Sequence, residues 1–167
     1  MVVRSNPIEI MKKVNSIKAV VLLLFPLLIA GCSGNVVFQD SKVFPSCGWD
    51  KDSVVVFKHM VADTSGTYDI IIDIRNDGNY RYQNFWLFVN SISPDLREFT
   101  DTLECVLANN YGKWIGKGGG SLHQLPVSFM QQIKFPKRGV YKFELIQGMR
   151  EDTLVGIHDI GLRIIKN

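Results

Sequence analysis

Histidine, cysteine and charge of one sign are all scarce in this chain, and each shortage removes a class of function. There are three histidines, His59, His123 and His158, and three cysteines, Cys32, Cys47 and Cys105. No two histidines sit at the close spacings by which one element offers two ligands to zinc, so no metal is expected. A Gly-x-Ser-x-Gly elbow is missing, and no hydrolase triad is supported. Gly116-Lys117-Gly118-Gly119-Gly120 fails as a phosphate cradle, because Tyr111 stands where the first P-loop glycine belongs and Gly118 where Ser or Thr belongs. Five carboxylates, Asp101, Glu104, Glu151, Asp152 and Asp159, would serve acid–base chemistry on a sugar only if the fold brought two together. Carboxylates on strands usually solvate an outer face, and no catalytic residue is expected.

The formal net charge is +3, but Arg4, Glu9, Lys12, Lys13 and Lys18 all precede Cys32, and from Cys32 onward fifteen basic residues balance fifteen acidic ones. Without a net positive field, neither nucleic acid nor anionic lipid recognition has an electrostatic basis. A long apolar run is missing too. Ala19 to Ala30 is twelve residues; as a helix it would rise roughly 18 Å, against a hydrocarbon core of about 30 Å. It is too short for an ordinary spanning anchor.

What is present at the N-terminus is the order of a secretory signal: Lys12, Lys13 and Lys18, then the apolar run, then small residues. Ile29-Ala30-Gly31-Cys32 resembles the bacterial lipobox. That resemblance implies cleavage between Gly31 and Cys32, a diacylglycerol on the Cys32 sulfur and an N-acyl chain on the new terminus, with no other cofactor. One acyl chain binds a membrane marginally; at about 0.8 kcal/mol per buried methylene, two or three hold the protein durably. Ser33 stands where inner-membrane retention favours Asp, and Ser33-Gly34-Asn35 has no acidic run of the surface-export kind. The expected location is the outer membrane, periplasmic face. A soluble secreted form or an uncleaved short anchor is the alternative. Met11, followed by Lys12-Lys13, is an alternative start.

The expected organisation is a signal peptide at 1–31, a lipidated N-terminus and tether at 32–52, and one domain at 53–167. With Cys32 lipidated, Cys47 and Cys105 are left in an oxidising compartment, where two thiols are candidates to pair. Such a bridge would close a loop of about 60 residues and stabilise by about 4 kcal/mol on the chain-entropy model. The alternative is a small core residue at Cys105 and a loop thiol at Cys47.

From Val54 onward the apolar period is two. Tyr68, Ile70, Ile72 and Ile74 alternate with Asp69, Asp73 and Arg75, and Asn76-Asp77-Gly78-Asn79 supplies a hairpin turn. Phe85-Trp86-Leu87-Phe88-Val89 is apolar on both faces, as in a central strand covered on both sides or one carrying an exposed aromatic patch. Further strands are predicted over Thr102–Ala108, with Leu103, Cys105 and Leu107 inward, over Val127–Phe135 after an entry at Pro126, over Val140–Gln147, and through Ile160, Leu162 and Ile164. A strand over Val54–Val61, with or without a short one near Val36-Val37-Phe38, brings the total to seven or eight. The spacing predicts an all-β fold, a single antiparallel β-sandwich with either immunoglobulin-like or jelly-roll connections. Asp159 and Arg163 share a strand face about 13 Å apart and need cross-strand partners.

Trp49, Tyr80, Tyr82, Trp86, Tyr111 and Trp114 lie beside turns or strand ends, where rings stack on a glycan, anchor a protein partner, or simply cover a sheet edge. Trp86, Tyr111 and Trp114 are the candidate binding aromatics; the identity of any small-molecule ligand is not legible.

Taken together, the lipobox ending in Cys32, the run Asn79-Tyr80-Arg81-Tyr82-Gln83-Asn84-Phe85-Trp86-Leu87, and the segments DTLECVLANNYGKWIGKG, FPKRGVYKFELIQGMR and GIHDIGLRI resemble the gliding-motility lipoprotein GldH family. The segments cover most of residues 79 to 164. Cys105 departs from the family pattern, in which an aromatic commonly follows Asp-Thr-Leu-Glu, so a disulfide there would be a local trait. The resemblance implies an outer-membrane lipoprotein, non-enzymatic, that supports gliding, is linked to type IX secretion, and meets the membrane through its lipid and other envelope or motility lipoproteins through its surface.

Overall fold

Strict alternation dictates the centre of the molecule. In the computed structural model, which describes residues 35–45 and 48–167, Tyr68, Ile70, Ile72 and Ile74 are all buried, while Asp69, Asp73 and Arg75 between them face outward. Gly31, Cys32, the signal segment and Cys47 lie outside the described residues. Ten strands follow in order: β1 (Val36–Val43), β2 (Trp49–Asp50), β3 (Val55–Val61), β4 (Tyr68–Asn76), β5 (Asn84–Ile92), β6 (Glu98–Val106), β7 (His123–Ile133), β8 (Gly139–Gln147), β9 (Thr153–Leu154) and β10 (Ile157–Lys166). No helix occurs among the described residues.

Two four-stranded antiparallel sheets, ordered β1-β10-β4-β7 and β3-β8-β5-β6, pack face to face, and β2 with β9 forms a two-residue ribbon. Among the eight long strands only β5 and β6 are neighbours in both sequence and sheet; every other connection crosses to the opposite sheet. That connectivity is the jelly roll, which decides between the two sandwich alternatives. One hydrophobic cluster fills the gap: Ile70, Ile72 and Ile74 of β4 and Ile160, Leu162 and Ile164 of β10 join Phe85, Leu87 and Val89 of β5 and Phe143 and Leu145 of β8. Each fully buried side chain of this kind contributes roughly 1.5–3 kcal/mol relative to exposure.

Several expectations are corrected. The turn at Asn76–Asn79 reverses the chain, but β4 and β5 do not form a hairpin; they belong to different sheets. Tyr80 is buried over the end of the core and its hydroxyl donates to Asn84 O at 2.7 Å, so the connection wraps the core end before β5 begins. Pro126 lies inside β7 rather than at its entry, paired with Asp73. β7 is an edge strand, where a residue without an N–H is tolerated on the side that bonds no neighbour. β6 begins at Glu98, earlier than Thr102, and β1 runs for eight residues, longer than the short Val36–Phe38 strand. Both are edge strands that overhang the core, so their inner faces need no apolar alternation.

Trp49 and Tyr80 are core residues, not surface aromatics: Trp49 stacks on Phe44 with ring centroids 4.5 Å apart and lies 5.9 Å from Phe85.

Candidate functional site

The outer faces of the two sheets differ in how far their side chains satisfy one another. On the β1-β10-β4-β7 sheet, Arg75 Nε donates to both carboxylate oxygens of Asp159 at 2.7–2.8 Å, and Arg163 donates to Asp73 at 3.0–3.1 Å. These are the cross-strand partners that Asp159 and Arg163 need. Asp159 is buried and also meets His158 Nδ1 at 2.6 Å. Its hydrogen bond holds the Arg75 guanidinium above the usual arginine range. Gly161 lies between the pairs, and its missing side chain leaves a shallow polar hollow of about 180 Å³ floored by them.

The β3-β8-β5-β6 sheet turns Trp86 and Phe88 outward from β5, 37% and 42% exposed, next to the exposed Val106 of β6. β5 is therefore central but uncovered on its outer side, the exposed-patch alternative. Beside Trp86 runs a groove of about 400 Å³ lined by Tyr82, Asn84, Trp86, Gly148, Met149 and Arg150. Its geometry follows from the end of β8. Gly148 N–H donates to Trp86 O at 2.8 Å, and Trp86 N–H points at Met149 Sδ at 3.4 Å. Buried Gln147 shapes the turn from beneath, accepting from Met149 N–H at 2.9 Å and donating to Glu151 O at 2.8 Å. A Cβ on Gly148 would come within 3.1 Å of the Phe88 ring and 3.3 Å of Trp86 Cβ, so glycine keeps the groove floor open. Tyr82 donates its hydroxyl to Glu151, which raises the phenol above its ordinary pKa. Arg150 stands at the rim with no ion pair among the described residues.

The three candidate aromatics are not assembled into one platform. Trp86 lines the groove; Trp114 is half-buried against Tyr80 and His123, at 6.4 and 6.0 Å; Tyr111 is 95% exposed at the tip of a turn that Asn109 organises by accepting from the Tyr111 and Lys113 N–H groups at 3.0 Å. Sequence reasoning missed Gly148, Met149 and Arg150. Their one legible signal was a glycine directly after a strand of clean alternation.

The five carboxylates each engage a different neighbour. Glu104 accepts from Asn84 at 2.8 Å, Glu151 from Tyr82, Asp152 pairs with Lys51, Asp159 with Arg75, and Asp101 accepts from the Thr102 N–H at 2.8 Å. Among the described residues no group of three His, Cys, Asp or Glu side chains converges as a metal site. Cys105 faces the core with no disulfide partner among the described residues, and burial pushes its thiol pKa up to about 12. Cys47, its candidate partner, lies outside the described residues.

Two solved structures share a shallow likeness at 12% identity and TM-score 0.36: one of the infectious bursal disease virus Gx strain, with 77% of this chain and 29% of that one covered, and a fructofuranosidase from Schwanniomyces occidentalis, with 81% and 35% covered. Neither bears on function. The sequence relatives are closer. The "Gliding motility lipoprotein GldH homolog" of Christiangramia forsetii is 32% identical over 148 residues, covering 84% of this chain and 90% of that relative. The "Gliding motility lipoprotein GldH" of Flavobacterium johnsoniae is 33% identical over 151 residues, covering 86% and 93%. The family model described as GldH lipoprotein matches residues 36–164, nearly the whole jelly roll, and the chain belongs to the GldH lipoprotein family.

Proposed function

We propose that this protein is an outer-membrane lipoprotein, held at the periplasmic face by acyl chains on Cys32, that acts as a non-catalytic scaffold for gliding and type IX secretion components. The observation that carries the reading is the uncovered Trp86 groove on a body whose five candidate acid–base carboxylates, Asp101, Glu104, Glu151, Asp152 and Asp159, each engage a different neighbour. An aromatic anchor beside an unpaired arginine is the composition of a protein-binding hot spot. Other envelope or motility lipoproteins are the partners this reading assigns, and no reaction is assigned.

Purification of tagged protein from crosslinked envelopes should recover motility or secretion components in the unmodified chain and lose them in Trp86→Ala; recovery of none from the unmodified chain refutes the scaffold reading. For the anchor, Cys32→Ser should free the domain from the membrane fraction or leave an unprocessed precursor, and lipid label retained by that variant refutes it.

The groove also favours a second reading, a carbohydrate-binding lipoprotein, because Trp86 flanked by Asn84 and Arg150 offers a stacking ring with polar neighbours. Glycan-array binding that Trp86→Ala abolishes would select this reading; a blank array removes it.

A further inference from the structure

The near-zero charge of the mature chain conceals an asymmetry between the two ends of the sandwich. At one end lie the connections 62–67, 93–97 and 134–138 and the last residues of β10. Lys166 N–H donates to Asn35 O at 2.8 Å, Asn167 N–H to Thr67 O at 2.9 Å, and Lys137 Nζ reaches Asp95 at 2.8 Å, so these segments form one continuous surface around the start of β1. Its connections carry two acidic residues, Asp63 and Asp95, and four basic ones, Arg97, Lys134, Lys137 and Arg138; the strand ends that border them add Lys166 and Glu98, for five basic residues against three acidic. Asp95 pairs with Arg97 and Lys137, Asp63 with Lys166, and Lys134 and Arg138 have no ion pair among the described residues. At the opposite end, segments 44–54, 77–83, 107–122 and 148–156 hold five acidic and five basic residues. The basic end also carries Leu96, 81% exposed at a turn tip. It adopts φ 62°, a left-handed conformation unusual for leucine, fixed by its N–H donating to Ser93 O and by Ser93 N–H donating to Arg97 O, both at 2.9 Å.

We infer that this basic end, with Leu96 at its tip, rests on the headgroups of an anionic bilayer and fixes the orientation of the sandwich. The inference rests on Cys32 being the lipidated residue. Three residues, Ser33, Gly34 and Asn35, separate Cys32 from β1. Fully extended, that link spans roughly 14 Å, about half the roughly 30 Å length of a nine-residue strand. The acyl chains therefore reach the end where β1 begins and not the other. An exposed apolar tip on an end with an excess of Arg and Lys is the chemistry of an interfacial contact: the leucine enters the acyl boundary and the cations meet phosphates. Local charge supplies the attraction to anionic lipid that the summed charge denies. The Trp86 groove, built where β8 ends at Gln147, then faces away from the membrane.

The test uses the full lipidated protein in a Cys47→Ser background, with an environment-sensitive fluorophore attached through Leu96→Cys or, at the far end, Tyr111→Cys. The proteins are reconstituted on phosphatidylcholine vesicles containing about one-third phosphatidylglycerol and a nitroxide-bearing lipid as quencher. Position 96 should lose more than about half its emission and position 111 almost none, with quenching at 96 at least about twofold weaker on pure phosphatidylcholine. Co-floating protein with no quenching at 96, or with equal quenching at both positions, overturns the orientation while leaving the anchor intact. Equal quenching on the two vesicle types overturns the role of charge. Protein that does not co-float with vesicles overturns the anchor and this inference together.

Discussion

On the β1-β10-β4-β7 sheet the outward residues Asp73, Arg75, Asp159 and Arg163 bind one another across strands, whereas on the β3-β8-β5-β6 sheet the outward Trp86 and Phe88 stand open beside a groove. Both faces arise from the same alternation around one core. Exposure alone therefore does not mark a site. Both faces carry charge, and on the first each of Asp69, Asp73, Arg75, Asp159 and Arg163 already has a partner at hydrogen-bond distance. The second pairs Lys142 with Glu144 and Asn84 with Glu104 but leaves its largest ring, Trp86, and Arg150 beside it, unengaged. Changes on the first face should therefore register in stability, and changes on the second in recognition.

The largest effect should come from Arg75→Met, which leaves buried Asp159 with His158 alone. Urea denaturation should show a loss of about 3 kcal/mol, the penalty of stranding a buried charge, with partner recovery unchanged where the variant is folded. A loss under about 1 kcal/mol would erase the contrast from the structural side. Next, Trp86→Ala should weaken partner capture about 30-fold, or about 2 kcal/mol, while costing about 1 kcal/mol or less in folding. A folding loss as large as that of Arg75→Met, with capture intact, would make Trp86 a packing residue.

Gly148→Val should act more mildly in the same direction. Its Cβ meets side-chain atoms of Phe88 and Trp86, which can shift, so capture should fall by about three- to tenfold, with about 1 kcal/mol lost in stability. Fluorescence anisotropy with the recovered partner measures this, and unchanged affinity would move the contact elsewhere on the sheet.

The smallest effect belongs to the margin where the two sheets meet at β1 and β3. His59 lies 5.2 Å from Phe38, and burial lowers its pKa below the ordinary 6.5. A histidine depressed in the folded state contributes stability that is complete above pH 6.5 and declines as pH falls through its folded value. The urea midpoint should drop slightly between pH 7.5 and 5, and His59→Gln should shrink the drop. An unchanged slope in that variant would place the sensitivity elsewhere.

The readable parts of the fold were the strands whose alternation is enforced by burial on the inner face, β4, β8 and β10, and the fifth strand with its double apolar character. The first half of β6 and most of β1 were not readable, because Phe99, Asp101, Asp40 and Lys42 point inward at edges where the opposite sheet does not reach them. The turn chemistry at Asn76–Asn79 specified a reversal but carried no information on which sheet receives the next strand; buried Tyr80 settles that in three dimensions. The same limit applies to the site. Trp86 was identifiable as an exposed ring, while Met149 comes to it from 63 residues away. The pairing needs of Asp159 and Arg163 were legible as a demand, and the identities of Arg75 and Asp73 were not.

Strands β1 and β10, the first and last long strands among the described residues, lie side by side, paired from Val36 with Ile165 to Val43 with Asp159, and Lys166 N–H donates to Asn35 O at the end of the pair. A chain synthesised N-terminus first cannot complete that sheet until β10 has followed the strands before it. With six of seven links jumping between layers, assembly is governed by distant contacts and should be slow compared with a meander of similar size. Strand β10 is therefore the latch: removing it would leave β1 without a neighbour and expose the flank of β4.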